Sequence, residues 1–346
     1  MRPMSELRTV EWVNGRVRMI DQTQLPDRLV YVNLKGYRQV SRAIRDMVVR
    51  GAPAIGVAAA MGMALAAHSN RNKSRDHVLK DLEAAAESLR ASRPTAQNLF
   101  WAVDRILRRV HNASSDENIA KLAVEEAGRM AEEDVAASLS IGRYGADLIA
   151  DGDQVLTHCN TGTLAAVNYG TALAPIRTAV RQGKRVRVVA TETRPRLQGA
   201  KLTTYELMSD KIPVTLIVDG ASGYVIRRGM VQKVIVGADR ITRSFVANKV
   251  GTYLIALAAG ASNVPFYVAA PTSTFDLRRG NAEVKIEERN AKEVTHINGQ
   301  RIPPRGVPVY NPAFDLTPVE LVKGFITEKG VFTTEQLTAQ PATIQA

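Results

Sequence analysis

The chain has 346 residues, 45% apolar and 23% charged, with 46 Lys and Arg against 34 Asp and Glu for a formal charge of +12. That profile excludes a disordered or fibrous chain and leaves room for two ordinary domains with a buried core. A single cysteine, Cys159, excludes an intrachain disulfide and fits a reducing compartment, so a cytoplasmic location is expected.

The basic balance favours anionic partners. The cations are scattered, as at Arg177, Arg181, Lys184, Arg185 and Arg187, or paired, as at Arg227-Arg228 and Arg278-Arg279. Aromatic residues do not interleave with them, so they read as solvated surface and no nucleic-acid partner is expected.

Residues 7–32 read as extended, with Asn14-Gly15 as a hairpin turn between residues 10–13 and 17–20. Residues 36–150 read as helical. The uncharged stretch 51–67 is short for a membrane span and rich in Ala and Gly, so it is expected to be a buried helix, with no membrane partner. Apolar residues recur at three-to-four spacing over residues 76–91, 96–110 and 116–150. Ser92-Arg93-Pro94-Thr95 separates the first two of these helices. From Asp151 onward, short Val- and Ile-rich runs at 154–157, 186–190, 214–218, 234–236 and 266–270 alternate with helical stretches. Such alternation predicts a parallel sheet flanked by helices.

Each run ends in small, polar or charged residues: Thr157-His158-Cys159-Asn160-Thr161-Gly162-Thr163, Thr191-Glu192-Thr193-Arg194-Pro195, Asp219-Gly220-Ala221-Ser222, Gly237-Ala238-Asp239-Arg240 and Pro271-Thr272-Ser273-Thr274. Ligands of open α/β sheets bind outside the carboxyl ends of the strands, so five such ends predict a polar crevice. Cys159 reads either as a small buried hydrophobe or as a thiol activated at a strand-to-helix junction. Asp239, after a buried run and a Gly-Ala step, reads either as a desolvated general acid or as a cap paired with Arg240. Arg50-Gly51-Ala52-Pro53 reads as a tight turn or as a phosphate clamp at a helix start. Arg93, Gln198, Asn248 and Lys249 are further candidates to hold phosphate or sugar hydroxyls. No dinucleotide, Walker or nucleophile-elbow motif is present, and none of the five histidines is spaced as a zinc pair, so no metal is expected.

Taken together, Arg50-Gly51-Ala52-Pro53-Ala54-Ile55-Gly56, Ser92-Arg93-Pro94-Thr95, Thr157-His158-Cys159-Asn160-Thr161-Gly162, Glu192-Thr193-Arg194-Pro195-Arg196-Leu197-Gln198-Gly199-Ala200, Gly237-Ala238-Asp239-Arg240, Val246-Ala247-Asn248-Lys249-Val250-Gly251-Thr252 and Asn311-Pro312-Ala313-Phe314-Asp315 resemble the methylthioribose-1-phosphate isomerase family. They occur in family order and span most of the chain. The resemblance implies an α/β fold, with a mainly helical N-terminal domain that starts with a short β-hairpin over residues 1–150. A Rossmann-like catalytic domain with a parallel sheet follows over residues 151–346. It also implies a homodimer, no cofactor and a small sugar-phosphate substrate. It assigns Cys159 and Asp239 as the catalytic pair. Substrate contacts fall to Arg50, Gly51, Ala52, Arg93, Gln198, Asn248 and Lys249. The loop Ile241-Thr242-Arg243-Ser244-Phe245 departs from the family by about one residue, and the catalytic pair is intact.

In a furanose 1-phosphate the anomeric oxygen carries phosphate, so opening the ring calls for an acid at the ring oxygen, which Asp239 supplies when protonated. Hydrogen then reaches C1 either through an enol, with Cys159 as base and then acid, or as hydride from C2, with Asp239 taking the 2-hydroxyl proton. The stretch 54–67, with Met61 and Met63, is the expected apolar wall for a methylthio group. Rival readings are a ribose-1,5-bisphosphate isomerase, which needs cations for a second phosphate, and a regulatory subunit of the translation-initiation exchange factor, which needs no catalytic pair.

Overall fold

The computed structural model describes residues 3–93, 96–114, 117–277 and 286–339. Pro94, Thr95, Asp116 and the Arg278-Arg279 pair lie outside the described residues. The hairpin forms as the sequence predicts: β1 (Val10–Val13) pairs with β2 (Arg16–Ile20), and Asn14 and Gly15 take φ of 49° and 74°, as a two-residue turn of this hand requires. A third strand, β3 (Tyr31–Leu34), extends it to a three-stranded antiparallel sheet.

Five helices follow: α1 (Tyr37–Arg45), α2 (Ala52–Ser69), α3 (Arg75–Ser92), α4 (Gln97–His111) and α5 (Ile119–Ala146). Apolar on every side, α2 is buried almost along its whole length as the axis around which the others pack. It is long and apolar enough to cross a membrane, and here it is a core helix. Its glycines and alanines let neighbours approach closely, as where Gly62 meets Leu89 and Val40. Met61 and Met63 lie in this core, 2% and 0% exposed, and so do not form a substrate wall.

After the turn at 150–153, the chain alternates β4 (Gln154–Thr157), α6 (Leu173–Arg181), β5 (Arg187–Thr191), α7 (Thr204–Ser209), β6 (Val214–Ile217), α8 (Ser222–Arg227) and β7 (Lys233–Val236). Two short strands, β8 (Arg240–Ile241) and β9 (Phe245–Lys249), precede α9 (Thr252–Ala261) and β10 (Phe266–Ala269). A small hairpin of β11 (His296–Ile297) and β12 (Gln300–Arg301) leads to β13 (Phe314–Pro318), β14 (Gly324–Thr327) and β15 (Gly330–Phe332).

The main sheet has the order β15-β14-β10-β7-β4-β5-β6, parallel throughout except for the edge strand β15. From β4 the chain first builds outward through β5 and β6, then returns to place β7 on the other side of β4. The strand order therefore reverses between β4 and β7, the position where such sheets open a binding crevice.

A second antiparallel sheet, β13-β9-β8, was not legible in the sequence. The polar end Asn248-Lys249 reads as the lead-in to a helix, yet both residues are paired in β9, opposite Asp315 and Phe314 of β13. A further correction concerns Arg177, read above as solvated surface. It is 2% exposed, and its guanidinium is paired with Glu206 and Asp210.

Candidate active site

Cys159 follows β4 and Asp239 follows β7, so the two residues leave the carboxyl ends of the two strands that flank the switch point. Cys159 adopts φ of 63°, a left-handed conformation that costs energy for a residue with a Cβ and is held by its neighbours. Its N–H donates to Thr193 Oγ1 at 2.9 Å, and its carbonyl accepts from the Thr203 hydroxyl at 2.6 Å. The preceding residue, His158, ties three segments together. Its Nε2 lies 2.9 Å from the Val250 carbonyl, which can only accept, so Nε2 carries the proton and Nδ1 accepts from the Thr191 hydroxyl at 2.6 Å. Burial pushes His158 down to about 4, so the ring is neutral and serves as a brace between β4, β5 and the turn after β9.

The helical part reaches the same place through one close approach. Gly51 has φ of 95°, and a Cβ built on it would lie 2.4 Å from the Ala165 Cα, so only glycine lets this turn dock on the loop after β4. That docking brings in Arg50, which is 7% exposed. It donates from Nε to Gln22 Oε1 at 2.9 Å, from Nη1 to the Asn160 carbonyl at 2.9 Å and from Nη2 to the Asn160 side chain. Lys249 is buried, donates to the Ala313 carbonyl at 2.8 Å and lies over the Phe314 ring at 4.7 Å. Arg93 caps the end of α3 and faces Met47 Sδ at 3.3 Å and Glu287 at 3.2 Å.

All nine residues singled out from the sequence line one cleft: Cys159, Asp239, Arg50, Gly51, Ala52, Arg93, Gln198, Asn248 and Lys249. The cleft adds Met47, Asn160, Thr161, Phe314 and Arg289 among others. Phe314 and the Asn160-Thr161 step lie inside motifs already quoted, whereas Arg289 and Met47 belong to none of them and carried no signal.

Four cations, Arg50, Arg93, Lys249 and Arg289, face this space against one carboxylate, Asp239. Three buried polar atoms on its wall have no partner among the described residues: Arg93 Nε, Gln198 Oε1 and Thr161 Oγ1. Buried groups are nearly always paired, so unpaired ones of both polarities in one cleft mark a place for a polar ligand.

The electrostatics are set by desolvation. Burial pushes the Asp239 carboxyl above its ordinary range, opposed by Lys249, Arg93 and Arg50. Burial likewise pushes the Cys159 thiol up against the pull of Lys249 and Arg50, and pushes the Lys249 ammonium down. Burial thus favours the protonated forms of both the Asp239 carboxyl and the Cys159 thiol, in a cleft lined by cations. Among the described residues, no cluster of metal-ligating side chains is present.

A parallel sheet with a cationic, partly unsatisfied cleft at its switch point defines an α/β protein that binds a small, polar, anionic ligand. The sequence pattern of the Initiation factor 2 subunit family matches residues 48–334. The methylthioribose-1-phosphate isomerase of Geobacter metallireducens is 51% identical over 330 residues, covering 94% of this chain and 95% of that protein. The crystal structure of 5-methylthioribose 1-phosphate isomerase from Pyrococcus horikoshii OT3 superposes with a TM-score of 0.90 at 42% identity, covering 98% and 95% of the two chains. The crystal structure described as translation initiation factor eIF-2B, subunit delta, from A. fulgidus superposes with a TM-score of 0.87 at 46% identity, covering 99% and 100%. The chain belongs to the Initiation factor 2 subunit family and, within it, to the methylthioribose-1-phosphate isomerases.

Proposed function

We propose that this cleft converts 5-methylthioribose 1-phosphate to 5-methylthioribulose 1-phosphate, an aldose–ketose isomerisation of methionine salvage, with Cys159 and Asp239 as its catalytic pair. The carrying observation is the position of the pair: an acid and a thiol at the two strand ends of the switch point, inside one cationic cleft. A regulatory protein of the same fold has no use for such a pair. Arg50, Arg93 and Lys249 are cast as phosphate and hydroxyl contacts, together with Gln198, Asn248 and the backbone at Gly51 and Ala52.

Protonated Asp239 donates to the ring oxygen, the C1–O bond breaks, and the cation left at C1 is stabilised by the phosphate oxygen. In the hydride route the C2 hydrogen moves with its electron pair to C1, while the Asp239 carboxylate takes the 2-hydroxyl proton, leaving a carbonyl at C2. The acid is regenerated and no proton is lost. In the enol route Cys159 must first be a thiolate to accept the C2 proton. Burial raises the thiol, which disfavours that state, so the hydride route uses Cys159 as it rests, as a protonated donor.

The cleft also carries an apolar side, built from Met47, Pro53, Ile55 and Phe314, suited to a methylthio group. One observation favours the rival with a second phosphate: a groove continuing past Met47 and Gln198 carries Arg196 and Lys201. Arg196, however, is already paired with Glu293 at 2.7 Å.

A homodimer is the proposed assembly. The open edge strand β6 exposes Leu216, and Val218, Tyr224 of α8 and Leu254 of α9, two helices that pack together, stand 60–68% exposed, apolar surface that a second copy would cover.

Cys159→Ser and Asp239→Asn are expected to lower kcat at least about a hundredfold each while the fold persists, since both changes are nearly isosteric. Steady-state kinetics on variants with wild-type melting curves check this, and near-normal turnover in either removes that residue from the chemistry.

Under one buffer condition, kcat/KM for methylthioribose 1-phosphate is expected to exceed that for ribose 1,5-bisphosphate. The reverse order assigns the substrate to the Arg196 and Lys201 groove instead. Light scattering coupled to gel filtration should give twice the chain mass for the wild type and a single chain mass for Leu254→Glu. A monomeric wild type refutes the dimer.

A further inference from the structure

Beside the catalytic cleft lies a larger cavity, of about 400 Å³, that the isomerase reading leaves unused. Pro53 and Pro271 line both spaces and so form the wall between them. The cavity is open to solvent and is bordered by α2, α4 and α5 on the helical side, and by the turn after β10 and Glu328 after β14 on the sheet side.

Its chemistry is opposite to that of the cleft. Three carboxylates, Glu133, Asp134 and Glu328, line it, and no Lys, Arg or His does. Two of the three are engaged. Glu133 is held by Arg105, with Nη2 to Oε1 at 2.9 Å, and Glu328 accepts from the Thr272 N–H at 2.9 Å and from the Thr272 hydroxyl. Asp134 is different. Among the described residues it accepts only the Val167 N–H, at 2.7 Å, with no cation paired to it, and its burial pushes the carboxyl up to about 7.

A second and independent observation comes from α4, which lines the same cavity. Asn98 is 3% exposed, its amide nitrogen donates to Ser273 Oγ at 3.4 Å, and its Oδ1 has no partner among the described residues. The unpaired side-chain atom of Asn98 is an acceptor, and the Asp134 carboxylate, when ionised, has acceptor capacity left over. The lining also includes the apolar residues Val57 and Met130 and Trp101, whose ring lies under Arg105.

We propose that this cavity binds a small organic cation, a protonated amine on a compact apolar body, whose N–H groups donate to Asp134 and to Asn98 Oδ1. An ammonium group supplies the donors and the positive charge that both residues lack, and it is repelled by the four cations of the neighbouring cleft. An occupant bridges the helical part and the strand ends.

The probes are benzylamine, neutral benzyl alcohol and anionic benzoate, titrated into the full-length protein by isothermal titration calorimetry with and without saturating inorganic phosphate. Benzylamine is expected to bind at least about tenfold more tightly than benzyl alcohol, the scale of one charge-assisted hydrogen bond, with no binding of benzoate and no displacement by phosphate. Asp134→Asn keeps an acceptor for the Val167 N–H and removes the charge, so it should abolish the preference for the amine. Ala137→Leu, on the α5 wall, should block benzylamine and benzyl alcohol and leave turnover unchanged. The proposal is overturned if benzoate or benzyl alcohol matches benzylamine, if phosphate displaces the amine, if benzylamine fails to bind at millimolar concentration, or if either folded variant binds it as the wild type does.

Discussion

Glu206, with no solvent exposure, is the fixed point around which the site is assembled. Its carboxylate accepts from the N–H groups of Thr163 and Leu164 at 2.7 and 3.2 Å, from Asn160 Nδ2 at 2.9 Å and from Arg177 Nη2 at 2.7 Å. Arg177 in turn reaches Asp210 and the Tyr169 carbonyl. A charge buried this deeply is tolerated only when fully paired, and breaking such a pair costs about 3–5 kcal/mol. The fit leaves no slack: a Cβ on Gly162 would lie 2.2 Å from a Glu206 oxygen. The loop carrying Cys159 is thus pulled onto α7, and Asn160, held by Glu206, presents its oxygens to Arg50. One buried carboxylate positions the thiol loop and, through Asn160, the cation from the helical part.

Around that frame the cleft sets charges against burial. Four cations line the space, which suits the proposed phosphate dianion, and at Arg93 Nε the hydrogen-bonding demand is unmet among the described residues. The same cations would ordinarily ionise a carboxyl next to them, yet desolvation dominates at Asp239 and keeps its proton within reach. When the substrate phosphate neutralises Lys249 and its neighbours, the force that lowers Asp239 weakens further. Phosphate binding and acid strength are in this way coupled through space, without movement of either residue.

Much of this was legible in residue order. The five apolar runs, the hairpin turn and the buried small-residue helix follow from periodicity and turn chemistry, and three of the five polar strand ends, after β4, β7 and β10, line the crevice, whereas residues 191–195 and 219–222 do not. The antiparallel β13-β9-β8 sheet was hidden because its strands are short, one ends in proline and another ends in Asn248-Lys249. Met61 and Met63 were misplaced because composition cannot say which side of an all-apolar helix meets a ligand. Arg177 was misread because a buried ion pair forms between residues 29 and 33 positions apart, which no local pattern encodes. Arg289 and Met47 reach the cleft only through the tertiary fold.

The central claim, that burial keeps Asp239 protonated as the acid that opens the ring, is tested most directly by carbon-13 NMR. The carboxyl resonance of Asp239, assigned by its absence in Asp239→Asn, is followed against pH in the free protein and with inorganic phosphate bound. The account predicts a midpoint well above the ordinary carboxylate value of about 3.9, moving higher when phosphate binds. A midpoint at or below that value in both states would contradict it.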